Sequence, residues 1–252
     1  MSVADTYRKH THREHVLALP DTYVGSIETA ADEVFLRNGD SFEPITIPIN
    51  PGFYKLIDEL LVNAHDHVVR LLQKKSANPV KHVDISCTDT SFTIRNDGEA
   101  IDVVEHPQHK VWVPQMIFSE LLTSTNYDKD EKKLVGGKNG YGVKLVNIFA
   151  SQMTVTVLDS VRLLKYIQTF RNNMTVIEPP VIKMCKQKSF VQVEWTPDFA
   201  RFGYTNIPKP MQQLIERRVW DLAMTLGKDV KVTFNETLIK CKNLTEYAKA
   251  YG

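Results

Sequence analysis

Residues 51–74 read PGFYKLIDELLVNAHDHVVRLLQK, and their pattern decides how the rest of the chain is to be read. Phe53, Ile57, Leu60, Ala64, Val68 and Leu71 recur at steps of three and four, which lines one side of an α-helix. A helix turns by about 100° per residue, so Glu59, Asn63 and Asp66, at i, i+4 and i+7, share another stripe, with His67 beside it. An acid, an amide and an acid in line face either solvent or a cleft. Asn has little reason to sit in a helix interior, and the apolar Leu60-Leu61-Val62 beside it implies burial of much of this helix. Both points favour the cleft.

On the N-terminal side, residues 1–25 are polar and rich in His and Arg, and end in Pro20-Asp21-Thr22 and Gly25. They read as an extended arm and a turn rather than a core element. Val34–Leu36 and Ile45–Ile47 have strand character and flank a hairpin-like turn at Asn38-Gly39. On the C-terminal side, His82–Cys87 and Ser91–Arg95 alternate as two strands, and Asn96-Asp97-Gly98 reads as the turn that ends them. Pro114 can open a helix through Leu122. The polar stretch 123–133, with its DKDEKK run, reads as a surface loop. A short amphipathic helix at Val143–Ala150 follows, then strands at Thr154–Leu158, Leu163–Phe170 and Phe190–Trp195. A long helix at Lys209–Leu226 and a strand at Val230–Phe234 complete the pattern. Long helices among antiparallel-looking strand pairs predict an α+β fold: a two-layer sandwich with a mixed, mostly antiparallel sheet and helices on one face.

Composition narrows the functional classes. With 252 residues, 42% hydrophobic and 24% charged, the chain can bury a core and is not a disordered segment. Lys and Arg number 31 against 30 Asp and Glu, so the net charge of +1 makes no case for a dedicated nucleic-acid surface. Cys87, Cys185 and Cys241 lie far apart, without CxxC or zinc-finger spacing, as expected of reduced structural thiols in an intracellular protein. No apolar run reaches the ~20 residues that span a bilayer, and the N-terminus lacks a signal core.

A second feature is GGKNGYG, residues 136–142, leading into VKLVNIF. Glycines before a helix let backbone N–H groups converge on an anion where the helix dipole is positive. No GK[ST] closes the loop and the GxGxxG spacing is absent, so it is neither a Walker A loop nor a dinucleotide fingerprint. Taken alone it stays open between a phosphate loop and an ordinary glycine turn, as Asn96-Asp97-Gly98 stays open between a β-turn and a binding feature.

In this order the three features resemble the ATPase domain of type II DNA topoisomerases of the eukaryotic or large-DNA-virus kind. That domain has the Bergerat-type ATP-binding fold shared with gyrase, heat-shock chaperone ATPases, histidine kinases and mismatch-repair ATPases. The likeness runs through YRKHTHREHVLALPDTYVGSIE, GFYKLIDELLVNAHDH, VVEH, VWVPQMIFSELLTSTNYD and GGKNGYGVKLVNIF, and more weakly through VIEPP, WTPDFARFG and KDVKVTFN. It implies ATP and Mg²⁺ as cofactors, hydrolysis of ATP, and duplex DNA as the substrate of the full-length enzyme. It also implies a homodimer closed by ATP, and a place in the nucleus, or in the host cell or virion if viral.

Residue by residue, the resemblance makes Glu59 the general base and Asn63 the Mg²⁺ ligand, and puts Asp66 at the pocket floor. Asn96, rather than Asp97, takes the adenine-reading place, with Ala100 standing where the superfamily pattern has a second glycine. Ser124, Thr125 and Asn126 fall on the stretch that meets sugar and phosphates. Gly137, Lys138, Asn139, Gly140, Tyr141, Gly142, Val143 and Lys144 fall on the phosphate lid. His67 stands where relatives commonly have Asn, so that contact is not carried over, although a neutral His could donate one hydrogen bond. Tyr7 matches an arm residue that reaches into the partner subunit's nucleotide, which would make 1–25 a dimer strap and 26–252 the ATP-binding domain; the alternative is a frayed terminus. In the family a Lys from a following transducer domain completes the site, and Gly252 falls before it. That implies a fragment that binds nucleotide better than it hydrolyses it. A nucleotide-gated switch without turnover is the competing function. A histidine-kinase reading conflicts with the GKNGYGVKL and LLTSTNYD runs and with the lack of a phosphoacceptor helix.

Overall fold

In a computed structural model that describes residues 10–120 and 141–252, the first element is a short helix, α1 (His12–Ala18). This corrects the expectation of an extended arm up to residue 25. Thr11 and Glu14 cap each other's backbone N–H, and Val16 is fully buried in the core. Only Val16, Leu17 and Ala18 are apolar here, too few to register as a period, but the T-x-x-E capping box at 11–14 was a legible signal.

Strands β1 (Ala30–Asn38) and β2 (Ser41–Ile49) form a separate antiparallel hairpin. Its turn places Gly39 at φ +62°, a left-handed conformation that glycine adopts without a Cβ clash. The long helix α2 (Pro51–Gln73) follows, with Asn50 as its cap: Oδ1 accepts from the Phe53 N–H at 3.0 Å. Phe53, Leu56, Ile57, Leu60, Leu61, Ala64, Val68 and Leu71 are its buried side chains.

Next come β3 (His82–Cys87), β4 (Phe92–Asp97), α3 (Val113–Ser119), α4 (Gly142–Ile148), β5 (Ala150–Asp159) and β6 (Leu164–Arg171). Two short strands follow, β7 (Val176–Ile177) and β8 (Val181–Met184), then β9 (Phe190–Pro197) and the second long helix, α5 (Lys209–Leu226). The chain closes with β10 (Lys231–Phe234), β11 (Thr237–Leu238) and α6 (Leu244–Lys249). The main sheet has the order β11-β10-β3-β4-β9-β5-β6-β7, with β8 on the other part of β6. Only β10 and β3 run parallel among the described pairs.

Register shows where the core lies. Val83 pairs with Asn96, Ile85 with Ile94 and Cys87 with Phe92; Ile94 and Phe92 in turn face Val193 and Trp195, and Val155 continues the row to Gln168. All of these are buried and form one side of a period-two pattern, and the helices cover that side. The alternate positions, Asp84, Arg95, Gln192, Thr93 and Glu194, are polar or charged and face away. The fold is therefore α+β with helices on one sheet face, as the sequence predicts. Phe53 anchors α2 to the sheet, with ring centroids 5.5 Å from Trp195, 5.2 Å from Phe202 and 5.3 Å from Tyr204.

Six further elements depart from expectation. β4 continues through Asn96 and Asp97, and the chain turns only at Gly98. α3 ends at Ser119, where Glu120 goes extended (φ −81°, ψ 108°), and does not run to Leu122. Strands β7, β8 and β11 were not anticipated, being two to four residues long. Nor was α6, whose Tyr247 and neighbouring Tyr251 cluster with Phe35 and Phe42 of the hairpin. Those contacts are long-range and leave no local period. Among the described residues no helix is long and apolar enough to cross a membrane.

Candidate nucleotide site

The two adjacent acids Asp58 and Glu59 on α2 turn towards different helices. Asp58 turns towards α5, where its Oδ1 accepts from Arg218 Nε at 2.8 Å. Glu59, one residue and about 100° further round, turns instead towards α4. Its Oε1 lies 2.6 Å from Lys55 Nζ, one helical turn back. Its Oε2 faces the first residue of α4 so closely that a Cβ built on Gly142 would stand 2.0 Å away. Only glycine permits that approach. The end of the glycine-rich run and the carboxylate of Glu59 are thus in direct apposition, although 83 positions of sequence separate Glu59 from Gly142.

Asn63, one turn beyond Glu59, is exposed, and its side chain makes no hydrogen bond to another described residue. Both its amide oxygen and its amide nitrogen are available. Asp66 is largely buried, with His65 Nδ1 3.5 Å from its Oδ1. His67 is held on both sides of its ring. Nε2 is 2.8 Å from the Glu99 carbonyl oxygen, and Nδ1 is 2.8 Å from Arg70 Nη2. Arg can only donate and a carbonyl can only accept, so the ring is neutral with its proton on Nε2. Burial, reinforced by the Arg70 charge, holds its pKa below the usual histidine value.

Strand parity separates Asn96 from Asp97. Asn96 shares the helix-covered face with Phe92 and Ile94 and is buried, with Nδ2 donating to the Asp97 carbonyl at 2.9 Å. Asp97 points to the opposite face. Its Oδ1 accepts from the backbone N–H groups of Lys81 (2.7 Å) and His82 (2.8 Å), and its Oδ2 lies 2.9 Å from His82 Nδ1. Asp97 is committed to the start of β3, and Asn96 is the residue of the pair on the α2 side. Gly98 then turns the chain at φ +93°, where a Cβ would meet Val80 at 2.9 Å. Ala100 is accommodated, half-buried against the core.

The segment after Gly98 is tied down at Glu99. Its N–H donates to Asn78 O at 3.0 Å, its carboxylate accepts from Lys74 Nζ at 2.7 Å and Ser76 Oγ at 2.5 Å, and its carbonyl accepts from His67. The hydrogen bonds from Lys74 and Ser76 hold its pKa below the ordinary carboxylate value.

On α4, Tyr141 occupies the cap position with no side-chain cap, and its ring meets His12 of α1 edge-on at 5.6 Å. Val143 is half-buried against the core. Lys144 is buried at 1% exposure, and that burial lowers its pKa, opposed by the Glu120 carboxylate. Asn147 fastens α4 to α3, its Nδ2 donating to Phe118 O at 2.9 Å. Ser124, Thr125, Asn126, Gly137, Lys138, Asn139, Gly140 and Tyr7 lie outside the described residues.

The structure thus brings Glu59 against Gly142 at the start of α4, with Asn63 and Asp66 one and two turns further along α2 and Asn96 on the helix-covered face of the sheet. Lys55, Arg70 and Glu99 were not singled out from the sequence. The i−4 spacing of Lys55 from Glu59 and the i+3 spacing of Arg70 from His67 were the available signals. Nothing local marked Glu99.

No family model matches the chain. It is 41% identical to DNA topoisomerase 2 of Acanthamoeba polyphaga mimivirus over 258 residues, covering 99% of this chain and 20% of that protein. It superposes on the crystal structure of the ATPase region of Saccharomyces cerevisiae topoisomerase II with a TM-score of 0.92 at 35% identity, covering 99% of this chain and 66% of that one. The ATPase and transducer domains of DNA topoisomerase II from Balamuthia mandrillaris match with a TM-score of 0.91 at 30% identity, covering 100% of this chain and 64% of theirs. The chain therefore spans about a fifth of the curated relative and about two thirds of the solved ATPase regions. With this coverage of its own length and this agreement in fold, the chain belongs to the type II DNA topoisomerase family and corresponds to its ATPase region.

Proposed function

We propose that this domain binds ATP with Mg²⁺ and, as part of a longer topoisomerase, hydrolyses it to close a dimer gate during DNA strand passage. The observation that carries this reading is the apposition of Glu59 and Gly142, which puts a carboxylate beside the end of a glycine run that opens a helix. Asn96, on the helix side of the sheet, is the base-reading residue, and Asp66 supports the floor. Asn63 offers one exposed amide oxygen. That suits Mg²⁺, a hard cation that keeps several waters and needs few protein ligands. When bound, the metal would neutralise charge on the phosphates. In hydrolysis the oxygen of a water bonds to the terminal phosphorus as the bridging P–O bond to the leaving diphosphate breaks, and Glu59 takes the proton that the water loses. The glycine run and Tyr7 of a partner subunit would close over the nucleotide.

The 2.6 Å pair between Lys55 and Glu59 favours a second reading, an ATP-gated switch with negligible turnover, because it engages an oxygen of the base. Glu59→Gln separates the two. Calorimetry with ATP and Mg²⁺ should show binding retained. ATP turnover, in a chain that includes a transducer domain, should fall by about 10²–10⁴, the usual contribution of a general base. Unchanged turnover in the variant would remove Glu59 from the chemistry, and absence of turnover in the unsubstituted protein would favour the switch.

A further inference from the structure

We propose that His67, neutral and protonated on Nε2, is a positioning residue for the nucleotide base: it holds the loop after Asn96 by donating to the Glu99 carbonyl while accepting from Arg70. The inference rests on the ATP-binding reading above and names a residue that the acidic stripe does not include.

The geometry leaves little freedom. Glu99 stands three residues after Asn96, beyond the Gly98 turn that Val80 hems in. Three of its four ties run to the segment between the end of α2 and β3: Asn78 O, Ser76 Oγ and Lys74 Nζ. The fourth comes from His67, and it alone reaches the loop from the middle of the helix that carries Glu59 and Asn63. A base read by Asn96 would lie beside this loop, so the carbonyl tie sets how far the loop stands from α2. His67 is in turn oriented by Arg70 at 2.8 Å, an arrangement in which Nδ1 must remain a bare acceptor.

A pH dependence follows from the same contacts. The charged groups acting on the ring are Arg70 on its own helix and Glu99 on the facing loop, whose carboxylate is shared with Lys74. Adding a proton at Nδ1 turns the acceptor into a second donor facing a guanidinium, and Arg70 must leave. Burial and Arg70 lower the His67 pKa, so the neutral clasp is intact at neutral pH and is lost as the pH falls through a value below about 6.5.

The test is calorimetric affinity for ATP, ADP and inorganic triphosphate, from pH 7.5 to 5.5, in the unsubstituted chain, His67→Ala and His67→Gln, each checked for folding by its melting curve. Gln keeps a donor for Glu99 and an acceptor for Arg70 but does not titrate. His67→Ala should weaken ATP and ADP alike by roughly three- to tenfold, the worth of one hydrogen bond, and leave triphosphate unchanged. His67→Gln should restore affinity at pH 7.5 and, relative to it, the unsubstituted chain should lose affinity at pH 5.5; this ratio cancels the titration of ATP itself. If the unsubstituted chain binds ATP but both variants match it at every pH, the clasp is overturned while ATP binding stands. If the unsubstituted chain binds no ATP, the functional reading fails and the clasp with it.

Discussion

Gly142→Ala is the substitution on which the geometry makes the strongest demand. The new Cβ would stand 2.0 Å from Glu59 Oε2 and 2.9 Å from Glu59 Cδ, whereas ordinary contact begins at 3.4 Å. The carboxylate oxygen must therefore retreat by about 1.4 Å, or α4 must move away from α2. Moving α4 is the costlier route, since Leu145, Val146 and Ile148 are buried and Asn147 is bonded to α3. The side chain of Glu59 moves instead, giving up or bending its contact with Lys55. Global stability should hardly register this. An i,i+4 pair with both partners partly exposed contributes about 0.3–0.5 kcal/mol, a strained rotamer costs about 0.5–1.5 kcal/mol, and alanine in a helix returns up to about 1 kcal/mol over glycine. Catalysis should register it strongly, because an error of about 1 Å in placing a reacting group can cost a hundredfold. The expected result is a melting temperature within a few degrees of the parent, ATP affinity changed by less than tenfold, and turnover down by about 10². The assay is a coupled ATPase measurement beside calorimetry and a melt. Turnover at the parental rate, in a folded protein, would mean that Glu59 does not act from the position beside Gly142.

Two further substitutions probe the sheet. Asp97→Ala removes an acceptor for two backbone N–H groups and for His82, and since the carboxylate is only one third exposed it should cost about 1–3 kcal/mol of unfolding free energy; urea melts should show this while ATP affinity barely changes, and the reverse result would make Asp97 the base reader. Phe53→Ala empties a fully buried site between Trp195, Phe202 and Tyr204 and should cost about 3–5 kcal/mol in the same melts, and a loss below 1 kcal/mol would contradict the packing of α2 on the sheet.

What the sequence disclosed and what it withheld divide by range of interaction. The two long helices were legible almost to the residue, because the period of Phe53 to Leu71 and the run from Lys209 to Leu226 are local signals reinforced over several turns. β4 was read two residues short. Its last pairings depend on Asp97 binding the N–H groups of Lys81 and His82, 16 and 15 positions away, which no alternation pattern reveals. α6 was invisible for the same reason, since what holds it is an aromatic cluster with residues of β1 and β2. At the candidate site, periodicity put Glu59, Asn63 and Asp66 on one side of α2, and the resemblance supplied their roles. Neither could disclose that Gly142 must lack a side chain because Glu59 stands against it.

The position of His67 links this last point to the function. α2 presents Glu59 to Gly142 and, two turns later, His67 to the loop beyond Asn96. Eight residues of helix separate them, a rise of about 12 Å. The helix between is buried on its core side through Leu60, Leu61, Ala64 and Val68 and is not free to bend. On the proposed reading, a rigid rod that carries the general base Glu59 at one place and the base-loop clasp at another would set the separation of the phosphate and base ends without help from either loop. Sequence relatives with a different residue at position 67 would keep the rod and change only its grip on the base end. Glu59 and Gly142 have no such latitude, because the space between them is smaller than a methyl group.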